Sequence, residues 1–282
     1  MDIVDKNIEY LVIGNPICHS KSPQMQNAAF EYHKLGRPYG KLLLEREELG
    51  EFAEFLRKNL KGCNITVPFK EAIMPFVDEI DPLALQAKSV NTILNKNGKL
   101  YGYSTDGFGL ENSLRENFGM TVGGKSVIFV GVGGAAQAIA WHFASLGVKK
   151  LYLINRSIER AESLGSAIKQ NYPDIEIVTS LLADTERLGQ AIQVSDVIIQ
   201  ATSLGLKESD AAPFDFELLF LNKKIKVVDL IYHATPLLNF AEKNQFDYTN
   251  GKDMLVYQGA KSFEIWTGLQ APIDLMRAAL DD

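Results

Sequence analysis

The hexapeptide Gly131-Val132-Gly133-Gly134-Ala135-Ala136 restricts the fold more than any other feature, because it joins the apolar run Ser126–Val130 to a helical pattern from Ala135 to Leu146. Strand, glycine turn and helix, followed by a second apolar run at Leu151–Ile154, spell a βαβ unit and hence a parallel sheet. In the pattern G-x-G-x-x-A each small residue has a task. Gly131 permits the tight turn out of the strand, Gly133 lets a pyrophosphate approach the amides at the positive end of the helix, and Ala136 lets the helix lie close to its sheet. An ordinary glycine turn shares the spacing, so the flanking strand and helix give the motif its weight.

The rest of the chain divides around this unit. A length of 282 residues suits about two domains of roughly 150 residues each. Before the unit, strands are predicted at Tyr10–Ile13, Tyr39–Leu44 and Gly62–Val67, the last ended by Pro68, with helices at Ser22–Leu35 and Glu47–Leu60 between them. Ser20 or Ser22 can cap the first of these helices, and Pro23 fits its first turn. Helices are expected at Glu71–Ile80 and Pro82–Ala87, then a hairpin pairing Val90–Leu94 with Leu100–Tyr103 through Asn97-Gly98. Gly107–Phe118 reads as the helix that leads into the second domain, whose sheet continues with Glu176–Val178, Val197–Gln200 and Lys226–Leu230. A final helix, Gln258–Thr267, continues into Pro272–Leu280. The fold class is therefore α/β with two domains: an N-terminal α/β domain over residues 1–106, to which residues 251–282 return, and a Rossmann-like domain over residues 107–250, with a cleft between them.

Composition excludes several classes. With 46% hydrophobic and 23% charged residues the chain can bury a core, which sets aside disorder and fibres. A net charge of -6 without a basic patch disfavours nucleic acid. Apolar runs such as Val127–Val130 are strand-sized, far below the roughly 20 residues of a membrane helix, and Met1–Tyr10 has neither a basic start nor an apolar core of a secretory leader, so a cytoplasmic location is expected. Cys18 and Cys63 are read as small buried thiols, the four histidines are scattered, and no metal site is expected.

Cofactor choice is written at the end of the second strand of the βαβ unit, about 20 residues past the first glycine, where an NAD site places an acidic residue on the ribose 2'-hydroxyl. Here stands Asn155-Arg156-Ser157, with Arg160 one turn on. A guanidinium fork and a hydroxyl suit a 2'-phosphate, so NADP is expected. In the first domain Ser20 and Ser22 could both point at a carboxylate if the segment is extended, though serines at such places are commonly helix caps. Thr66 and Lys70 emerge at one strand end, and Asn91-Thr92 and Ser104-Thr105-Asp106 at others. Adding a hydride to a ketone leaves an alkoxide that needs a proton, and Lys70 with Asp106 is the leading donor pair, with His19 and His233 as local rivals.

Taken in order, Asn15–Pro23, Gly62–Lys70, Val90–Ile93, Ser104–Gly107, Gly131–Ala136, Asn155–Ser157, Ala201–Gly205, Asp229–Tyr232 and Asn250–Gly268 resemble the marker segments of the shikimate dehydrogenases over nearly the whole chain. That resemblance implies NADPH-dependent reversible reduction of 3-dehydroshikimate to shikimate, a step toward aromatic amino acids. It implies Lys70 and Asp106 as the catalytic pair, and Ser20, Ser22, Thr66, Asn91, Tyr232 and Gln258 around the substrate. Gly131, Gly133, Gly134, Ala135, Ala136, Asn155, Arg156, Ser157 and Arg160, with Thr202, Ser203 and Gly251, would surround NADP. Ser104 stands where the family commonly has asparagine, and Leu206 where it has methionine. Alternative readings are a quinate or dual quinate/shikimate dehydrogenase using NAD(P), a methylene-tetrahydrofolate dehydrogenase, and a dinucleotide-sensing regulator that would have no use for Lys70 with Asp106. The expected partner is a small-molecule substrate, and a homodimer is left open.

Overall fold

The computed structural model describes residues 7–207 and 209–281. In chain order the elements are β1 (Tyr10–Gly14), α1 (Ser22–Tyr32), β2 (Tyr39–Leu43), α2 (Leu49–Asn59), β3 (Gly62–Ile65), β4 (Glu79–Ile80), α3 (Pro82–Gln86), β5 (Thr92–Lys96) and β6 (Lys99–Tyr103). Then come α4 (Asp106–Phe118), β7 (Ser126–Val130), α5 (Gly134–Ser145), β8 (Lys150–Asn155), α6 (Ile158–Asn171), β9 (Glu176–Leu181), α7 (Thr185–Val194) and β10 (Val197–Gln200). The chain ends with β11 (Lys226–Asp229), α8 (Pro236–Lys243), β12 (Tyr248–Thr249), α9 (Lys252–Thr267) and α10 (Ile273–Ala278). Two compact units result, one of residues 1–109 with 255–282 and one of residues 110–254.

The first unit is built on a six-stranded sheet of order β2-β1-β3-β5-β6-β4, in which β5 runs antiparallel to both its neighbours. Side chains alternate across a strand, so an all-apolar strand must be covered on both faces. Leu11 and Ile13 of β1, with Cys63 and Ile65 of β3, pack against Phe52 and Leu56 of α2. Tyr10 and Val12 enter the other core, with Met25 and Phe30 of α1, Phe263 and Trp266 of α9, and Met276 of α10. The C-terminal helices thus return to the first sheet. Gly259 makes room for α1, since a Cβ there would lie 2.1 Å from the Met25 methyl carbon, and Gln26 donates from Nε2 to the Gly259 carbonyl at 2.9 Å. Trp266 donates to the Ile93 carbonyl at 2.9 Å and fills the space beside Gly62.

The second unit carries the order β12-β11-β10-β7-β8-β9, all parallel. Ile128 and Val130 face the core formed with Leu188 and Ile192 of α7 and Leu237 of α8. Phe129 faces the other way, its ring 6.1 Å from that of Phe143 on α5. The strand order reverses at β7, which has β10 on one side and β8 on the other, and ligands of open α/β sheets bind beyond the strand C-termini at such a point.

Several local expectations fail for identifiable reasons. The predicted helix Glu71–Ile80 is a series of turns with a short 3-10 segment at Met74–Phe76, leading into β4. Asp78 draws the chain away from helix: its carboxylate accepts from the Leu100 amide at 2.7 Å and its own amide donates to the Leu100 carbonyl at 3.0 Å, which registers Glu79 opposite Tyr101. The last helix does not run through; it stops at Gly268, whose φ of +70° leaves the helical region, and α10 begins beyond Pro272. Helices α6, α7 and α8, for which the sequence reading gives no span, supply the crossovers that parallel strands require. Cys63 is buried as expected, but Cys18 is exposed in the turn between β1 and α1.

Candidate active site

Pairing fixes which chain ends share an edge of the first sheet. β1 and β3 are parallel, so Gly14 and Ile65 end on the same side. β5 runs back from that side, with Thr92 opposite both Asn64 and Tyr103, and β6 returns to it. The segments carrying Ser20, Thr66 and Lys70, Asn91, and Thr105 with Asp106 therefore all leave or enter the sheet at one edge.

At this edge Lys70 and Asp106 meet. Lys70 Nζ donates to Asp106 Oδ2 at 2.5 Å, with the lysine side chain 18% and the aspartate side chain 6% exposed. The Lys70 carbonyl accepts from the Val90 amide at 2.9 Å, which ties the base of the lysine to the entry of β5. Asp106 is the first residue of α4, where the helix dipole favours a negative charge. Its Oδ1 accepts from Asn91 Nδ2 at 2.8 Å. Asn91, 2% exposed, is a hub: Nδ2 also lies 2.9 Å from Thr105 Oγ1 and 3.4 Å from Gln258 Oε1, while Oδ1 accepts from the Thr105 amide at 2.9 Å and Thr92 Oγ1 at 2.9 Å.

Beneath this hub lies a layer that sequence reasoning did not assemble. Asn64 Nδ2 reaches the Asn91 carbonyl at 3.0 Å, Thr92 Oγ1 at 3.2 Å and Ser262 Oγ at 3.0 Å, and its Oδ1 accepts from the Tyr39 hydroxyl at 2.7 Å. Ser262 in turn donates to the Gln258 carbonyl at 3.0 Å, linking α9 to the sheet. Burial pushes the Tyr39 hydroxyl well above its ordinary range, so it stays a neutral donor. A polar residue inside a strand otherwise fully buried was the available sign for Asn64. Ser262 had none, since its i, i+4 relation to Gln258 is ordinary on a helix.

Ser20 and Ser22 come together differently from the extended arrangement expected. Lys21 is helical (φ -89°, ψ -2°) and occupies the cap position, and the amide of Ser22, which opens α1, donates to Ser20 Oγ at 3.3 Å. Thr66 is half-buried just past β3. Tyr232 belongs to the second unit and is 46% exposed. His19 is exposed, and His233, in the second unit, is exposed with its ring on the Ala234 carbonyl.

In the second unit the glycines separate by task. Gly131 has φ +95°, and a Cβ on it would meet the Thr202 methyl at 2.7 Å and backbone at 3.0 Å, so the fold itself requires glycine there. Gly133 caps α5 and Gly134 opens it, and a Cβ on either would meet nothing within 4 Å. Ala136 is buried beneath them, and Ala135 is half-buried. Asn155 Oδ1 accepts from the Val132 amide at 3.1 Å and its Nδ2 donates to the Ser157 carbonyl at 2.9 Å, so this side chain fastens the glycine turn. Arg156 and Arg160 are exposed and pair with no acidic side chain among the described residues. Ser157 is not free as expected: its hydroxyl donates to Glu159 at 2.7 Å. Thr202 Oγ1 accepts from the Leu204 amide at 3.1 Å, and Ser203 is exposed beside it. Gly251 is explained by packing, since a Cβ would lie 2.1 Å from the Leu230 carbonyl oxygen. No cluster of potential metal ligands occurs among the described residues, and no helix there is long and apolar enough to cross a membrane.

Three family models match in succession: the shikimate dehydrogenase substrate binding domain over residues 12–93, shikimate/quinate 5-dehydrogenase over 113–207, and the shikimate 5'-dehydrogenase C-terminal domain over 251–280. Shikimate dehydrogenase (NADP(+)) of Bacillus cereus is 40% identical over 272 residues, 95% of each chain. Among solved structures, shikimate dehydrogenase from Aquifex aeolicus aligns with a TM-score of 0.87 at 35% identity, covering 99% of this chain and 100% of that one. Shikimate 5-dehydrogenase from Listeria monocytogenes, in complex with shikimate and NAD, aligns with a TM-score of 0.89 at 32% identity, covering 99% and 98%.

Proposed function

The chain belongs to the shikimate dehydrogenase family, and from that premise we propose that it interconverts 3-dehydroshikimate and shikimate with NADP(H) as cofactor. The observation that carries the reading is the Lys70–Asp106–Asn91 assembly: a cation, a carboxylate and an amide hydrogen-bonded in series at a sheet edge. A regulator that only senses a dinucleotide gains nothing from burying these groups, each of which costs stability unless paired.

NADPH, when bound, supplies the hydride. The chain's residues manage the proton and the substrate's orientation. As hydride reaches the ketone carbon, its oxygen gains negative charge and takes a proton from Lys70 Nζ; in the reverse direction Lys70 takes that proton back. Asp106 holds the lysine through one oxygen and is itself held by Asn91 through the other, so the carboxylate cannot rotate away. Asn91 and Gln258 give the edge an amide pair, and Ser20, Ser22 and Thr66 give it hydroxyls, suited to a ring bearing a carboxylate and several hydroxyl groups. We assign residues 1–106 with 251–282 to the substrate and residues 107–250 to the cofactor.

The second unit fits a dinucleotide on its own evidence. Open space over Gly133 and Gly134 at the start of a 12-residue helix is what a pyrophosphate would fill, while Asn155 keeps the turn in shape. Unpaired Arg156 and Arg160 would take the 2'-phosphate, and Thr202, Ser203 and Gly251 would border the same cofactor.

The test is reduced-nicotinamide absorbance with shikimate and quinate, each with NADP+ and NAD+. Turnover concentrated in shikimate plus NADP+ supports the proposal. Quinate with NAD+ moves the chain to the rival specificity, and silence in all four with intact NADPH binding overturns the enzymatic reading.

A further inference from the structure

The residue beside the expected 2'-phosphate site that neither the motif nor the family resemblance brought forward is Glu159. Ser157 occupies the position before α6, a place where a serine oxygen commonly accepts a backbone amide, yet it makes no such cap. Its hydroxyl is turned the other way, donating to Glu159 at 2.7 Å. The Glu159 carboxyl is held below its ordinary range by that hydroxyl and by its own backbone N–H. It has taken the hydroxyl donor that a 2'-phosphate on Arg156 and Ser157 would otherwise use.

We propose that Glu159 sets the cofactor discrimination of this chain by competing, as a built-in anion, with the 2'-phosphate of NADP for the Ser157 hydroxyl and the start of α6. The inference rests on the NADP reading and deepens it. Binding NADP requires Glu159 to release Ser157 and withdraw, because two anions cannot share one hydroxyl donor and repel at this range. NAD has no such demand. Its ribose 2'-hydroxyl can instead donate to the carboxylate already in place, as an acidic residue does in NAD sites. Arg156 thus draws the chain toward NADP while Glu159 holds part of that preference back.

The experiment compares the wild-type chain with E159Q and E159D, measuring kcat/KM for NADP+ and NAD+ with saturating shikimate at low and at raised salt. E159Q should raise the NADP+-to-NAD+ ratio by about tenfold at low ionic strength, mainly through KM for NADP+, with a smaller gain when salt screens the repulsion. E159D, which keeps the charge, should stay much nearer to wild type. A ratio unchanged in E159Q, or a gain equal for both cofactors and indifferent to salt, overturns the assignment while leaving the NADP reading intact. A wild-type chain that ignores NADP+ but accepts it as E159Q overturns the cofactor reading and keeps the role of Glu159. Failure to use NADP+ in both overturns both.

Discussion

Replacing Asn91 by aspartate tests the proposed site with almost no change of shape. In the wild type Asn91 Nδ2 donates to Asp106 Oδ1 at 2.8 Å, and Oδ1 of Asn91 accepts from the Thr105 amide and the Thr92 hydroxyl. N91D keeps both accepting interactions and removes the donations from Nδ2 to Asp106, Thr105 and Gln258, setting a second carboxylate oxygen 2.8 Å from Asp106. At an effective dielectric near 20, two unit charges at that separation repel by about 6 kcal/mol, equal to roughly four pH units of proton affinity. The pair will therefore take up one proton and share it. Protonated, the new acid can donate to Asp106 much as the amide did. As pH rises the proton is lost, and the Asp106 side chain must turn away from its neighbour and off Lys70. We expect kcat/KM for shikimate to fall by about a hundredfold or more toward alkaline pH and to recover in part as pH is lowered, a limb the wild-type profile does not have. The assay is the pH profile of both proteins, with the melting temperature followed alongside. A profile parallel to wild type, with the same fractional loss at every pH, would refute the argument that Asn91 acts by holding Asp106.

Gly131 and Gly133 should separate folding from binding. G131A is expected to destabilise the second unit by about 1–3 kcal/mol, from positive φ and the Thr202 contact, seen as a lowered denaturation midpoint. G133A should leave that midpoint in place and weaken NADPH in a fluorescence titration; unaltered NADPH affinity would contradict a pyrophosphate over that glycine. R156A should weaken NADPH far more than NADH, and equal loss of the two would remove the 2'-phosphate argument. D78N should cost about 1 kcal/mol near neutral pH, discounted because the Arg57–Asp78 pair is partly exposed. Arg57 and the Leu100 amide hold the Asp78 carboxyl below its ordinary range. A depressed carboxylate contributes above its unfolded pKa and stops contributing as pH falls through its folded one, so wild-type and variant stabilities should converge below about pH 4. Urea midpoints at pH 7 and pH 3 would show it, and a gap of constant size would count against the ion pair.

What could be read in the sequence was whatever is local. The turn at Gly131 and the hairpin at Asn97-Gly98 each depend on neighbours a few residues away, and each stands in the structure. The segment 71–80 misled because its helical pattern was overruled by a distant partner: the backbone of Leu100 pairs with Asp78 and makes Glu79–Ile80 a strand. The same distinction divides the candidate site. Lys70 and Asp106 could be nominated by residue type at strand ends, but their meeting depends on β5 running antiparallel between β3 and β6, which brings Asn91 to the edge they share. Ser262 carried no local sign at all. It reaches Asn64 only because Gly62 admits Trp266 and Gly259 admits Met25, seating α9 close against the sheet.

That seating gives the polar layer its consequence. Tyr39, Asn64, Thr92 and Ser262 are buried on the face of the first sheet that α9 covers, where an apolar quartet of similar volume would be at least as stable. Asn64 and Thr92 bond to the backbone and side chain of Asn91, and Ser262 ties both to the helix that carries Gln258. A layer of this kind adds little net stability, because each bond inside it replaces one to water. It does fix a single rotamer for Asn91, since any other would orphan the Thr105 amide and Thr92 hydroxyl as well as Asp106. The carboxylate that steadies Lys70 is thus positioned from α9 and β2 as much as from its own helix, which is why an alanine at Asn64 should reduce turnover without touching any ligand.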